Sequence, residues 1–372
     1  MDFTYTPEQE ALRDNVRRFI EREYGWEQRF ALVRSAPAAD SGHWGTFAEL
    51  GLLGAGLSED EGGFGGGPAE NALIAEEFGR GLVIEPFIAH IMAAQIVAAI
   101  GGEVARALTE PMIMGKRRIV PALGEKTGRG NVNRIAARAV QDGGNYVLTG
   151  KKSLVDGAAL AGAFIVSALL NGEAALFLVK AHPGTIERQD YRTLDNHRVS
   201  DISFNGSPAQ LLASGELAAA AVARSVDHGL IALGGEALGV MDAALWATRD
   251  YLKMRRQFGT TLNTFQALQH RMADMLVEVE LTRSLLFHAL GAAADDSAAR
   301  SAAASALKVQ ISRGGLLVTQ EAIQFHGGIG VTEELNISHF YRRLFMISRL
   351  LGDEDLHLDR FAVMTDKATN SQ

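Results

Sequence analysis

The chain of 372 residues contains no cysteine. That absence removes disulfides, thiolate zinc sites and thiol nucleophiles together. Positive charge is not in excess: 36 Lys and Arg stand against 44 Asp and Glu, for a net charge of −8. With no basic stripe either, a nucleic-acid surface is not expected. Long apolar runs are missing. The longest, Phe87–Ile100, is broken by His90 and Gln95 and is too short to span a bilayer. Met1-Asp2-Phe3-Thr4 has neither the basic start nor the apolar run of a signal peptide, and it is not Arg-rich like a transit sequence. The expectation is a cytoplasmic protein with no membrane and no nucleic-acid partner. Metal is not expected, because the ten histidines include no His-Glu-x-x-His and no carboxylate–histidine cluster at helix-face spacing. Gly62-Gly63-Phe64-Gly65-Gly66-Gly67 lacks the Lys-Ser/Thr of a phosphate loop and reads as a connection between helices. No repeat of 20–50 residues is visible.

What remains is a globular composition, 47% apolar and 22% charged, with room for two or three domains. Thr6, Pro7 and Gln9 form a helix start with a capping box. Leu12, Val16, Phe19 and Ile20 follow at i, i+4, i+7 and i+8 and predict one apolar face. Helical patterns continue over 44–52, 67–80, 85–101 and 103–114. Between about 118 and 212 short apolar runs alternate with turn signals: 119–123, 134–140, 146–148, 164–169, 175–179 and 199–204. Asp142-Gly143-Gly144-Asn145 and Asn171-Gly172 read as hairpin turns. Long helices return over 216–254, 263–292 and 297–326, with shorter ones after 333. The first carries Gly229, Gly234, Gly235 and Gly239. A helix-interior glycine costs about 1 kcal/mol against alanine, so close approach of packed helices is the expected compensation. The pattern predicts an α+β multidomain protein: an N-terminal helical domain over 1–116, a middle antiparallel β domain or barrel over 117–214, and a C-terminal helix bundle over 215–372.

Two motifs stand in the C-terminal third. The first is Arg255-Arg256-Gln257-Phe258-Gly259, followed by Phe265-Gln266 and Gln269; the second is Gln324-Phe325-His326-Gly327-Gly328-Ile329-Gly330. Upstream stand Trp44 with Leu50-Gly51-Leu52-Leu53-Gly54, Glu61-Gly62-Gly63-Phe64-Gly65, and Glu76-Glu77-Phe78-Gly79-Arg80. In order and spacing these resemble the signatures of the acyl-CoA dehydrogenase family, over nearly the whole chain. The resemblance implies that fold, with a four-helix-type C-terminal bundle. It also implies FAD as cofactor, an acyl-CoA substrate, α,β-dehydrogenation of its thioester, and an electron-transfer flavoprotein as partner. Fatty-acid or steroid side-chain degradation is the setting it suggests. It assigns Arg255, Phe258, Gln266, Gln324, Gly327 and Gly328 to the adenosine and pyrophosphate half of a flavin bound mainly by a neighbouring subunit. A guanidinium offers a rigid fork of donors suited to pyrophosphate, and glycine lets backbone approach a ligand. Ordinary readings fit the same residues: Arg255 as a surface arginine complementing a helix C-terminus, and Gly327-Gly328 as a helix stop. His326 is expected to pack or hydrogen-bond rather than titrate.

The flavin-ring side departs from the family. Where relatives often have Thr-Glu-Pro-Gly-x-Gly-Ser-Asp, this chain has Gly124-Glu125-Lys126-Thr127-Gly128-Arg129-Gly130-Asn131, with only Glu125 in register. Trp-Ile-Thr-Asn becomes Leu154-Val155-Asp156-Gly157, which places a carboxylate where a hydroxyl is usual. The catalytic glutamate, expected before a glycine and 23 residues beyond Gly328, is Leu351 ahead of Gly352. Leucine cannot take a proton. The other position some relatives use is Gly229, beside Asp227 and His228, which point elsewhere on a helix. No catalytic residue is therefore assigned. The ending Gly352-Asp353-Glu354-Asp355-Leu356-His357 most resembles small subunits of bacterial heteromeric acyl-CoA dehydrogenases, of the pimeloyl-CoA dehydrogenase small-subunit type. The resemblance implies a subunit that needs a second dehydrogenase-like chain. Two alternatives stand beside it: an autonomous homo-oligomer with Asp353 or Glu354 as a shifted base, and a non-catalytic scaffold.

Overall fold

The computed structural model describes residues 5–36, 40–182, 184–294 and 297–370; Met1-Asp2-Phe3-Thr4, which carry the expectation about a leader, lie outside them. Six helices come first: α1 (Pro7–Glu23), α2 (Trp26–Arg34), α3 (His43–Glu49), α4 (Pro68–Gly81), α5 (Phe87–Ile100) and α6 (Gly102–Ile113). The capping box on α1 forms in both directions. Thr6 Oγ1 accepts from the Gln9 N–H at 3.3 Å, and Gln9 Oε1 accepts from the Thr6 N–H at 3.0 Å. Val16, Phe19 and Ile20 are buried as their spacing predicts. α2 rests on Trp26, Phe30 and Val33 at i, i+4 and i+7, a run too short to stand out in the sequence.

The strands are β1 (Ile119–Ala122), β2 (Arg138–Asp142), β3 (Asn145–Asp156), β4 (Ala163–Leu170), β5 (Glu173–Lys180), β6 (Ile186–Arg192) and β7 (Arg198–Ser214). Pairings run β4–β2–β3–β7–β5 and back to β4, which closes a barrel, with β1 added on β4 and β6 on β7. Most pairs are antiparallel; β1–β4 and β2–β4 are parallel. Both hairpin turns are where the sequence put them. Gly143-Gly144 joins β2 to β3, and Asn171-Gly172, both at positive φ, joins β4 to β5. Phe164, Phe177, Phe204, Leu148 and Val166 fill the interior. β6 went unforeseen because Ile-Glu-Arg-Gln-Asp-Tyr-Arg has no apolar alternation; it covers β7 with one mostly exposed strand.

The last third consists of α7 (Gly215–Met254), a two-residue pair β8 (Arg256–Gln257) and β9 (Thr260–Thr261), α8 (Gln266–Ala292), α9 (Ser297–His326), α10 (Ile337–Ile347) and α11 (Glu354–Asn370). By length and composition α7 is apolar enough to cross a membrane, although charged residues interrupt its sequence. Of its most apolar window 83% is buried within the protein, so it is a core helix.

Two compact units divide the chain. One holds Ala31–Asn71 and Ile84–Gly229, with the barrel. The other holds Met1–Phe30, Ala72–Val83 and Leu230–Gln372. Within this second unit two of the glycines of α7 have the role expected of them, while Gly234 instead meets the Leu307 side chain. A Cβ on Gly239 would stand 1.9 Å from the Glu76 carbonyl oxygen, and one on Gly235 would stand 2.3 Å from that of Ala72. Gly79 on α4 faces the Glu236 carbonyl in the same way, at 2.1 Å. The two helix backbones touch directly. Charges seal the crossing: Arg80 reaches Asp242 at 2.5 Å and Glu76 at 3.1 Å, while Arg17 holds Glu77 with contacts of 3.0 and 2.6 Å. Thus Glu76-Glu77-Phe78-Gly79-Arg80 is a packing motif.

Candidate flavin clamp and base position

α7 ends at Met254, and the chain turns at once into the β8–β9 hairpin, Arg256 pairing with Thr261 and Gln257 with Thr260. Its two loop residues, Phe258 (φ 55°) and Gly259 (φ 83°), are both left-handed, as a type I′ turn requires. Glycine takes this conformation freely; phenylalanine does so at a cost of roughly 1–2 kcal/mol. The ring gains little from its own chain in return, being 88% exposed with an edge contact to Phe265 at 6.0 Å. Beside it Arg255 is exposed. Its backbone is fixed by Arg255 N–H to the Tyr251 carbonyl (2.8 Å) and Leu262 N–H to the Arg255 carbonyl (2.9 Å). Among the described residues its guanidinium meets no carboxylate. Gln266, which opens α8, is exposed as well, whereas the Gln269 side chain is occupied by the Asn263 carbonyl at 2.9 Å.

The second motif packs against the last turns of α7, just ahead of the first. Tyr251 stacks on His326 with ring centroids 4.2 Å apart and planes inclined by 25°. His326 donates from Nδ1 to the Ala322 carbonyl at 2.8 Å, and burial lowers its pKa. It packs and hydrogen-bonds, as the sequence suggested. Gln324 is exposed in the last turn of α9, and Gly327 follows at φ 63°. A Cβ on Gly327 or Gly328 would meet nothing within 4 Å. Arg255, Phe258, Gln266, Gln324, Gly327 and Gly328 are therefore all open to solvent. This donor set, an unpaired guanidinium, two amides and bare backbone, fits a dinucleotide's pyrophosphate and adenosine.

The ring side, within the barrel unit, does not fit. Glu125, the one residue in register, accepts from the Ala136 and Ala137 N–H groups at 2.9 and 3.1 Å and from Lys152 Nζ at 2.7 Å. Burial opposes its charge, but Lys152 and the two N–H groups hold the carboxyl below its ordinary range. Lys152 also donates to the Leu123 carbonyl and to Ser167. The pair is a buried brace that sequence reasoning missed. Leu154 sits at a bulge of β3 with φ 54°, half exposed, its N–H on Asp201 at 3.2 Å. Asp156 ends the strand, half-buried.

Leu351 occupies a turn after α10 with φ 58°, ahead of Gly352 at φ 109°. The two nearest carboxylates are engaged otherwise. Asp353 caps α11, its Oδ1 accepting from the Leu356 N–H at 3.1 Å, and Glu354 accepts from Arg313 Nε at 2.7 Å. Asp227 and His228 are buried on α7.

Comparison with known proteins follows the same lines. The acyl-CoA dehydrogenase N-terminal domain matches residues 6–115 and the C-terminal domain matches 219–363. The chain belongs to the acyl-CoA dehydrogenase family. The acryloyl-CoA reductase (NADH) of Anaerotignum propionicum is 27% identical over 96% of this chain and 94% of its own. The acyl-CoA dehydrogenase IpdE2 of Mycolicibacterium smegmatis is also 27% identical, over 93% and 94%. Among solved structures, a Tcur3481-Tcur3483 steroid ACAD variant superposes with a TM-score of 0.89 at 31% identity, over 98% of this chain and 99% of that one. The ChsE4-ChsE5 complex from Mycobacterium tuberculosis reaches 0.89 at 24%, over the same shares, and supports the fold. Members of this family are oxidoreductases that act on the CH–CH bond of acyl-CoA and bind FAD.

The roles of Asp353 and Glu354 lead to an expected result. Asp353→Asn and Glu354→Gln should each leave turnover of the assembled enzyme within about tenfold, less than the loss of a general base brings. A hundredfold drop in steady-state rate, with FAD and acyl-CoA binding intact, would move the base to that residue.

Proposed function

We propose that this chain is an FAD-dependent acyl-CoA dehydrogenase subunit that lacks its own base and works with a second dehydrogenase-like chain. The observation that carries the reading is the contrast between its two halves. The adenosine-side residues are all present and exposed, with no carboxylate on Arg255 among the described residues and with Phe258 held in a strained tip that its own chain does not bury. On the other side Glu125 is consumed by Lys152, and position 351 is a leucine. A self-sufficient dehydrogenase keeps both. A subunit that lends a clamp to a flavin seated in its neighbour needs only the first.

FAD, when bound, supplies the hydride acceptor for the β carbon. This chain's residues bind and orient it: Arg255 pairs with pyrophosphate oxygens, Gln266 and Gln324 offer amides, and Gly327-Gly328 admit the nucleotide against bare backbone. Phe258 covers an apolar surface of the partner or the cofactor. The α-proton leaves to a carboxylate of the second chain. We place the complex in the cytoplasm, with acyl-CoA as substrate and an electron-transfer flavoprotein as acceptor. The shifted-base alternative is disfavoured because Asp353 and Glu354 already serve α11 and Arg313. The pure scaffold is disfavoured by the intact clamp.

Arg255→Ala should weaken FAD retention by about 1.5–3 kcal/mol, the range for a hydrogen bond to a charged group. Flavin content after dialysis of the assembled oligomer measures it. Unchanged affinity would remove Arg255 from the cofactor.

A further inference from the structure

Beneath the turn at 348–352 lies a group of buried polar side chains that no step above uses. Lys308, on α9, is fully buried, and its Nζ donates to the carbonyl of Ile347, the last residue of α10. One helical turn earlier Ser305 is buried too and donates its Oγ–H to His357 Nδ1 at 3.3 Å. That contact leaves Nε2–H of His357, on α11, to donate to the Leu351 carbonyl at 3.0 Å. Two carbonyls four residues apart, 347 and 351, are thereby gripped, one by Lys308 of α9 and the other by His357 of α11, which Ser305 of α9 holds in turn. Gly352 fits against the same imidazole, since a Cβ there would lie 3.0 Å from His357 Nε2. Among the described residues Lys308 forms no ion pair. Asp353 favours its charge from a distance, while Arg349 on the turn and Arg343 on α10 oppose it. A buried, unpaired ammonium is costly, and an apolar residue of the same volume would pack without that cost.

We infer that Ser305, Lys308 and His357 form a buried two-point clamp that positions the 348–352 turn and holds residue 351 in its left-handed conformation whatever side chain it carries. These are positioning residues and touch neither substrate nor cofactor. That position 351 belongs to the reacting site rests on the family reading above; the clamp itself does not. Its consequence is that a chain without a base retains the socket for one, and this explains how a leucine persists at φ 58°.

The test is amide hydrogen exchange of the full chain without cofactor or acyl-CoA, so that its failure leaves the flavin reading standing. Lys308→Met and His357→Leu should each cut protection of the 349–353 amides by about tenfold or more, with the middle of α9 and all of α8 unchanged. Leu351→Gly should leave that protection in place, because the clamp and not the side chain holds the turn. Melting supplies a second readout, of whether Lys308 is buried without an ion pair as the clamp requires. Burial pushes the Lys308 amine down to about 7, below its unfolded value of 10.5. Between those values the unfolded chain binds more protons than the folded one, so this group's contribution to stability rises with pH. His357, brought to about 4 by burial, titrates below that window. The Tm of Lys308→Met relative to the parent should therefore be most favourable near pH 6 and should decline by pH 9. Unchanged protection in both clamp variants would overturn the inference. So would equal loss across α9 to α11, loss in Leu351→Gly, or a Tm difference that is flat with pH. If Lys308→Met does not fold, His357→Leu and Leu351→Gly decide it by exchange alone.

Discussion

Purified alone, this chain is expected to show little or no acyl-CoA dehydrogenation at any acyl chain length, and the right second chain should restore turnover. The argument starts at position 351. General-base assistance is typically worth 10²–10⁴-fold, about 3–5 kcal/mol of barrier. Leucine supplies none of it, and the carboxylates two and three residues further on are bound to the α11 backbone and to Arg313. A homodimer would pair two adenosine clamps with two altered ring pockets, so neither composite site would be complete. In the proposed heterodimer one site would be complete: the clamp from this chain, the ring pocket and base from the other. Flavin content should then rise to a single FAD per pair of chains and track activity as partner is titrated in. Turnover by the homogeneous single chain at the ordinary enzyme scale of about 1–10³ s⁻¹ would overturn the heteromer reading and demand a base elsewhere.

How far the sequence reaches depends on whether a feature is local. Thr6 and Gln9 are three residues apart, and the β2–β3 hairpin is two strands around Gly143-Gly144, so both are legible as strings, whereas the β8–β9 hairpin around Phe258-Gly259 went unforeseen. The glycines of α7 could be read as a close helix contact from cost alone, although the sequence does not say that α4 is the partner. Pairs distant in sequence are different. Lys152 with Glu125, Tyr251 with His326, and Lys308 with the Ile347 carbonyl join residues 27, 75 and 39 positions apart. No period links them. Lys152 and Lys308 are single polar letters inside apolar patterns, and only the fold shows that they are buried. β6 escaped for the opposite reason: its residues are polar on both faces because it covers β7 with one side in water.

The largest stability effect is expected at one such long-range pair, Arg343 with Glu236. Both are buried, on α10 and α7, joined by two bonds of 2.5 and 2.8 Å between guanidinium and carboxylate. Glu236 lies between Gly235 and Gly239, where α7 touches the α4 backbone, so solvent has little room to reach a carboxylate left there alone. Arg343→Met removes the fork while keeping comparable volume, and an uncompensated buried charge should then cost about 3–5 kcal/mol at pH 7. The pair itself is worth much less than that figure, because its attraction mainly repays the desolvation of two ions. Adding Glu236→Leu to Arg343→Met should accordingly recover most of the loss, a coupling of the sign seen between contacting residues. Urea unfolding of the parent, the two single variants and the double variant, followed by near- and far-UV circular dichroism together, measures the cycle. Loss of under about 1 kcal/mol in Arg343→Met, the scale of an exposed ion pair, would show that water reaches Glu236 and that the α7–α4 contact does not exclude it.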